Sequence, residues 1–508
     1  MGSFLSGFFR SATLPATVAS FVAISACSVH SAEYGGPRKM SPAATEVETD
    51  KSKFRPDPTY EDKPYSAEEQ IKIYGGKRAV EVVRPLIELF RPQYSQGPFR
   101  QGENPFGGKN TSSLQFLAFG DWRTAVAFND NGAAEVGQVA TRLNLDLDLK
   151  LTGTERIHAF IRPLDKGGNF TRHEFAGGDR ADGASLELDG NFETLFFEGD
   201  VGAIQAGLSD EYASYDLPIA FGLTPFIFQN GVWLEDAFTG GAFTIAAKTS
   251  KALNISNMDF TFFAGFDKVT TPAARDALGG LDDDDLNVFG VASFFDANEG
   301  YFEAGFGVVE GDGELNDIDY KSLTFAFTKR YGAWLSNSVR FISTFDQDRE
   351  NNAQQTADGH IILLENSLIT YKPSTLVPYF NVWAGFDRPQ PLADATGLLK
   401  NTGINFETDG LTGFPRLDDS GHNTFGGAVG VSYIFNLDQQ LVIEAAALEP
   451  IGDDLEAGRA AVGHQIGLQV RYQRPIAPGW IVRTDAMLGF LENADDLRGL
   501  RFEIRRKF

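Results

Sequence analysis

Sulfur is nearly missing from this chain, which has one cysteine and four methionines in 508 residues. The single Cys27 excludes an intrachain disulfide and a cysteine-built metal site. Basic residues are also scarce: Lys and Arg number 44 against 69 Asp and Glu, for a net charge of −25. So acidic a chain lacks the basic stripe that nucleic-acid phosphates require. Past the first thirty residues no stretch approaches about 18 unbroken apolar residues, so no helical membrane span is expected. Catalytic motifs are missing too. The six histidines (30, 158, 173, 360, 422 and 464) include no HExxH spacing, there is no glycine-flanked serine nucleophile, and there is no CxxCH haem site. Neither an enzyme nor a cofactor is expected.

What the chain does have is phenylalanine and glycine, 44 and 54 residues respectively. Aromatic and glycine enrichment without sulfur favours β structure over packed helices. Residues 1–32 carry Arg10, an apolar and small-residue run from Ala12 to Ala26, and then polar chain, the layout of an export signal. Its "ISAC", Ile24 to Cys27, resembles a bacterial lipobox, which makes Cys27 a candidate for lipidation; ordinary cleavage a few residues on is the alternative. Residues 33–111 are Pro-rich and charged, with a capping-box pattern at Ser66 and Glu69 and a break at Pro85. This segment is expected to be periplasmic or to plug a lumen, the alternative being a mobile leader into the first strand.

From residue 112 to 508 a two-residue alternation repeats. In "TRLNLDLDLKLTG" Leu143, Leu145, Leu147, Leu149 and Leu151 face one way, and Asn144, Asp146, Asp148 and Lys150 the other. About eighteen such segments follow one another, with lengths near the ~9–11 residues of a tilted membrane strand. A soluble sandwich would alternate in the same way, so the connections decide. Short turns such as "TGTER", "DANEG" and "KPST" follow the even-numbered segments. Longer stretches, among them 209–239, 267–285 and 387–421, follow most of the odd-numbered ones. Short turns at one end and long loops at the other fit an all-β transmembrane antiparallel up-and-down barrel of about 18 strands. An even count also lets the last strand pair with the first, so no open edge meets lipid. The fourth and fifth segments are expected to start near 184 and 200, and 387–421 is expected to be an exposed outward loop.

The end of the chain, "LRGLRFEIRRKF", alternates to its last residue. Leu500, Phe502, Ile504 and Phe508 resemble the C-terminal assembly signal of bacterial outer-membrane β-barrel proteins, which implies the barrel-assembly machinery as a partner. "LFFEGDVGAIQAGLSDEY" (195–212) resembles the hairpin that precedes the third outward loop of porins. The resemblance implies that the apolar connection 209–239 folds into the lumen, with Asp216, Glu235 and Asp236 among its charged members. Arg123, Arg471, Arg483, Arg501 and Arg505 gather where the barrel would close, and Asp146 and Asp148 lie on the second segment. Two readings of these charges stay open, a transverse field across a constriction or pairwise neutralisation in the wall. "LDDDDLN" at 281–287 is expected to be a solvated acidic loop, because calcium-loop spacing is absent.

The expectation is therefore an outer-membrane porin-like channel for passive diffusion of small hydrophilic solutes or ions. Its partners would be outer-membrane lipid, the solutes themselves and, for an oligomer, further copies of the chain. An export barrel similar in outline to polysaccharide exporters, and a structural barrel with partner-binding loops, are the alternatives.

Overall fold

The computed structural model describes residues 83–91 and 107–508, except 133, 178–182, 275–284, 316, 348–354, 409, 436–437, 454–455 and 457. The export signal, Cys27, the Ser66–Glu69 pattern and the aspartates at 282–284 lie outside the described residues.

Eighteen strands close into an antiparallel barrel. They are β1 (Gln115–Asp130), β2 (Glu135–Lys150), β3 (Arg156–Ile161), β4 (Phe192–Asp200), β5 (Pro218–Phe228) and β6 (Leu234–Ser250). Next come β7 (Ile255–Asp267), β8 (Leu286–Ala297), β9 (Gly300–Gly311), β10 (Tyr320–Tyr331), β11 (Leu335–Phe345) and β12 (Asp358–Leu368). The last six are β13 (Leu376–Arg388), β14 (Thr424–Phe435), β15 (Gln439–Pro450), β16 (Gln465–Ala477), β17 (Trp480–Leu491) and β18 (Leu497–Lys507). Each strand pairs with its sequence neighbour, and β18 closes on β1 from Asp121↔Lys507 to Asp130↔Arg498. Phe508 extends that seam: the Gly120 N–H donates to its carbonyl at 2.9 Å, and its own N–H donates to Gly120 O at 3.1 Å. Below Phe508, where β18 has run out, the short strand Ile87–Leu89 pairs with Phe116–Ala118. That strand belongs to the 33–111 segment and covers backbone that β18 leaves bare.

The alternation has the expected sense. On β18 Leu500 and Phe502 point outward and are about half exposed, whereas Arg501 and Glu503 are buried inside. On β1 Trp122, Val126 and Phe128 are outside, and Ala125 and Ala127 inside. The outward residues form the apolar band that a lipid bilayer covers. Exposed Tyr301, Tyr331, Trp334, Tyr371 and Tyr433 gather at the short-turn end, where amphipathic rings suit the bilayer interface. On the pattern of outer-membrane barrels the short-turn end corresponds to the periplasmic one and the opposite end to the outer one.

Two expectations fail here. Val201–Ser209, taken as the fifth strand, is the helix α1. Asp200 caps it, accepting from Ala203 N at 2.8 Å with an extended backbone, and Asp210 ends it in the left-handed conformation (φ 56°). The porin-like strand–turn–strand at 195–212 is thus strand then helix. The real fifth strand, β5, lies inside what was taken as the long loop 209–239. The second failure is 387–421. The connection after β13 is folded into the barrel, with Leu392, Leu398, Leu399, Phe406 and Leu417 at most 1% exposed.

Candidate solute pathway

Among the described residues, two segments that enter the lumen from the outer end meet each other there. The first is the tip of the β5–β6 hairpin, where Gln229, Asn230 and Gly231 are consecutive left-handed residues with φ of 55°, 57° and 76°. Glycine suits 231 because its φ of 76° is a backbone conformation that side-chain-bearing residues rarely adopt. The turn points Trp233 across the barrel. Its indole N–H donates to Ser322 Oγ on β10 at 3.0 Å, and the ring is fully buried. Gln229 fixes the other side of the turn, with Oε1 accepting from Thr324 Oγ1 at 2.8 Å and Arg340 Nη1 at 3.0 Å.

The second segment is 389–423. It joins the hairpin through a parallel pairing, Leu234↔Ala393 and Glu235↔Asp394, and through Leu392 N–H donating to Trp233 O at 2.7 Å. Lys400 binds both Glu235 (2.9 Å) and Asp394. Burial pushes the Asp394 carboxyl up, and the Lys400 ammonium works against that shift. Deeper along the segment, Glu444 of β15 accepts from Ile404 N at 3.1 Å, Asn405 N at 2.9 Å and Tyr379 Oη at 2.5 Å. One buried carboxylate thus pins the segment to the wall.

The register of the closing strands builds the charged wall. Arg471, Asp485 and Arg501 stand directly opposite one another across β16, β17 and β18. Asp485 is fully buried and takes Arg471 Nε at 2.7 Å, Arg483 Nε at 2.8 Å and Arg501 Nη2 at 2.8 Å. Glu407, from the inserted segment, binds Arg471 and reaches Arg483 at 3.4 Å. The Arg501 guanidinium lies 5.1 Å from the Phe414 ring centre. A second group surrounds Asp121, which takes Arg123 at 2.6 Å and Arg505 at 3.4 Å; Glu503 also holds Arg505, at 2.9 Å. Three guanidinium groups round one carboxylate leave a local positive excess that Glu407 offsets.

The five arginines of the closure region therefore form two ion-pair groups. Asp148 stands apart on β2, within 3.7 Å of Arg156 and 3.8 Å of His158. Asp146, two residues away, makes no salt bridge among the described residues. Glu235 and Asp236 sit on the inserted hairpin, Asp236 accepting from Thr270 N at 2.7 Å. Asp216 is not brought to them: it is exposed between α1 and β5, at the opposite end of the barrel. Sequence reasoning missed Asp485, Glu503, Glu444, Glu407, Lys400 and Trp233. Asp485 and Glu503 share the inward phase of their strands with the arginines, Glu444 holds the inward phase of β15, and all three could have been found from that phase. The others lie on segments without a period.

Beneath the inserted segments, toward the short-turn end, a cavity of about 500 Å³ remains. Thr328, Ser336, Ser338, Ser367 and Asn381 of β10 to β13 line it, together with Asn401 and the backbone near Thr402.

The barrel is similar to solved porins. A BenF-like porin from Pseudomonas fluorescens Pf-5 superposes with a TM-score of 0.50 at 10% identity, covering 77% of this chain and 98% of that one. The chain has the fold of these porins, a closed antiparallel barrel of 18 strands. OccK11 (OpdR) of Pseudomonas aeruginosa aligns at TM-score 0.49 and 10% identity, over 77% of this chain and 96% of its own. OccAB4 of Acinetobacter baumannii aligns at 0.46 and 13%, over 80% and 100%. No family model and no curated protein matches the sequence. At these identities the likeness is one of fold.

Proposed function

We propose that this porin-like barrel is a channel for passive diffusion of small hydrophilic solutes or ions across the outer membrane. The carrying observation is the contrast between its surfaces, lipid-facing apolar residues outside and, along the closing strands and beneath the inserted segments, a charged, amide- and hydroxyl-lined interior. A wall of this polarity has a use where water and solutes touch it. The hairpin tip and the 389–423 segment act as the constriction, with Glu235, Asp236 and Lys400 on one side. Arg471, Arg483 and Arg501, clustered round Asp485 and Glu407, form the other. Arg123, Arg505, Asp146 and Asp148 extend the charged lining along β1, β2 and β18.

The full burial of Trp233, Leu399 and Phe406 favours a second reading, a barrel whose lumen is closed at rest. Single-channel recording of refolded protein in planar bilayers separates the two. Steady ohmic openings support the channel, and silence supports the closed barrel.

A further inference from the structure

We infer that the cavity beneath the inserted segments binds a neutral polyhydroxylated solute, a sugar or polyol, in preference to an anion or a cation. The inference rests on the channel reading above, since it names the solute class that would cross. Every charged side chain at the cavity is already answered by the protein. Lys400 is held by Asp394 and Glu235, Glu407 by Arg471 and Arg483, and Glu365 by Arg340 at 3.0 Å. An anion would have to compete with Glu407 or Asp394 for its cation. A cation would have to compete with an arginine or a lysine. Both exchanges give up a close ion pair whose cation is largely buried, the Lys400, Arg471 and Arg340 side chains being 11%, 12% and 2% exposed.

The groups that remain are hydroxyls and amides. Ser336 of β11 and Ser367 of β12 are direct cross-strand partners, and neither hydroxyl has a hydrogen-bond partner among the described residues. Thr328 Oγ1 and Ser338 Oγ are bonded to each other at 2.9 Å, which leaves each with further capacity. Glu365, held at Oε2 by Arg340, also lines the cavity. A serine hydroxyl donates and accepts, and so does each hydroxyl of a polyol; an ionised carboxylate solute only accepts, and an ammonium only donates. Tyr379 adds a ring to the wall, a surface for the C–H face of a sugar. The volume of about 500 Å³ falls in the ~300–1,000 Å³ usual for small-molecule sites.

The test compares glucitol, gluconate and protonated glucamine, solutes of one size that differ in charge, on the refolded full chain. Binding is measured by calorimetry in detergent, and uptake by swelling of proteoliposomes. Glucitol should bind about tenfold more tightly than either charged analogue. Replacing Ser336 and Ser367 by Ala should weaken glucitol about tenfold, the ~1.4 kcal/mol of two modest hydrogen bonds. Ser336→Ala alone should weaken it about threefold, and heat-modifiable gel migration reports that each variant is folded. Equal or tighter binding of gluconate or glucamine overturns the inference, as does a folded double variant with unchanged glucitol affinity. Swelling with all three solutes but no glucitol binding removes the site and keeps the channel. Glucitol binding without swelling keeps the site and removes the channel.

Discussion

Replacing Asp485 by Asn would remove one negative charge from the centre of three guanidinium groups while keeping the side-chain volume. In the wild-type barrel the contacts are 2.7, 2.8 and 2.8 Å, and the carboxylate is fully buried. Unit charges 4 Å apart interact by about 4 kcal/mol at an effective dielectric near 20, so the gross loss over three contacts is large. Two features reduce it. Glu407 still faces Arg471 and Arg483, and the Asn oxygen can accept one of the lost hydrogen bonds. The net destabilisation should fall at the lower end of the ~3–5 kcal/mol for breaking a buried pair, about 3 kcal/mol. That is roughly a 100-fold change in the unfolding constant, measurable by denaturant titration into lipid vesicles. The same substitution leaves one extra positive charge on the lumen wall. Its field reaches ~8 Å in 0.15 M salt but ~3 Å at 1 M, so the reversal potential in a salt gradient should move toward anions and the shift should shrink in high salt. Arg501→Gln should move it the other way. Unchanged stability would show that solvent and Glu407 satisfy the arginines without Asp485. Lost stability with an unmoved potential would place the cluster off the solute path.

Phe508→Ala keeps both backbone hydrogen bonds to Gly120, so barrels folded in detergent should lose little stability; a sharp fall in membrane levels in cells would then point to recognition by the assembly machinery, and normal levels would remove that role. Trypsin on whole cells should cut at Lys166, which sits on an exposed hairpin of the 162–191 connection, and spare Lys400, whose side chain is 11% exposed inside the barrel; rapid cleavage at Lys400 would mean the segment 389–423 leaves the lumen. Burial pushes the Asp419 carboxyl from 3.8 up to about 6, against the pull of Arg416. The folded state then holds a proton that the unfolded chain releases between about pH 4 and 6, so the contact is strongest below that window and weakens as pH rises through about 6. Amide exchange at Leu399, whose N–H donates to Asp419 O at 2.8 Å, should therefore be slower at pH 5 than at 7.5 after correction for intrinsic rates, and Asp419→Asn should abolish the difference.

Much of the barrel was legible because one physical condition governs each wall strand, lipid on one face and water or charge on the other. Leu143 to Leu151 and Leu500 to Ile504 announce their faces for that reason. The condition lapses where a strand has apolar neighbours on both sides. Along β5, "PIAFGLTPFIF", Ile227 faces outward while Phe226 packs on Phe238 and Phe263 inside, so the period disappears and two prolines complete the disguise of a loop. Segment 389–423 hid differently. Leu392, Leu399, Phe406, Phe414 and Leu417 have no period because they pack irregularly against the interior of the barrel; only their number in a supposedly exposed loop hinted at it. At α1 the cap Asp200 was visible, but the short apolar run after it suits strand and helix equally. Among the charges, arginines were noticed and their partner Asp485 was not, although Arg483 and Asp485 share one inward phase.

Single-channel recording of the refolded chain beside Trp233→Ala reads diffusion through the lumen itself. Trp233 is fully buried where the hairpin tip meets β10 and the 389–423 segment, so its truncation loosens the constriction while leaving the wall strands paired. A diffusion channel gives steady openings in the wild type and a larger unit conductance in the variant. Silence from both proteins, with heat-modifiable migration proving that each is folded, would contradict it.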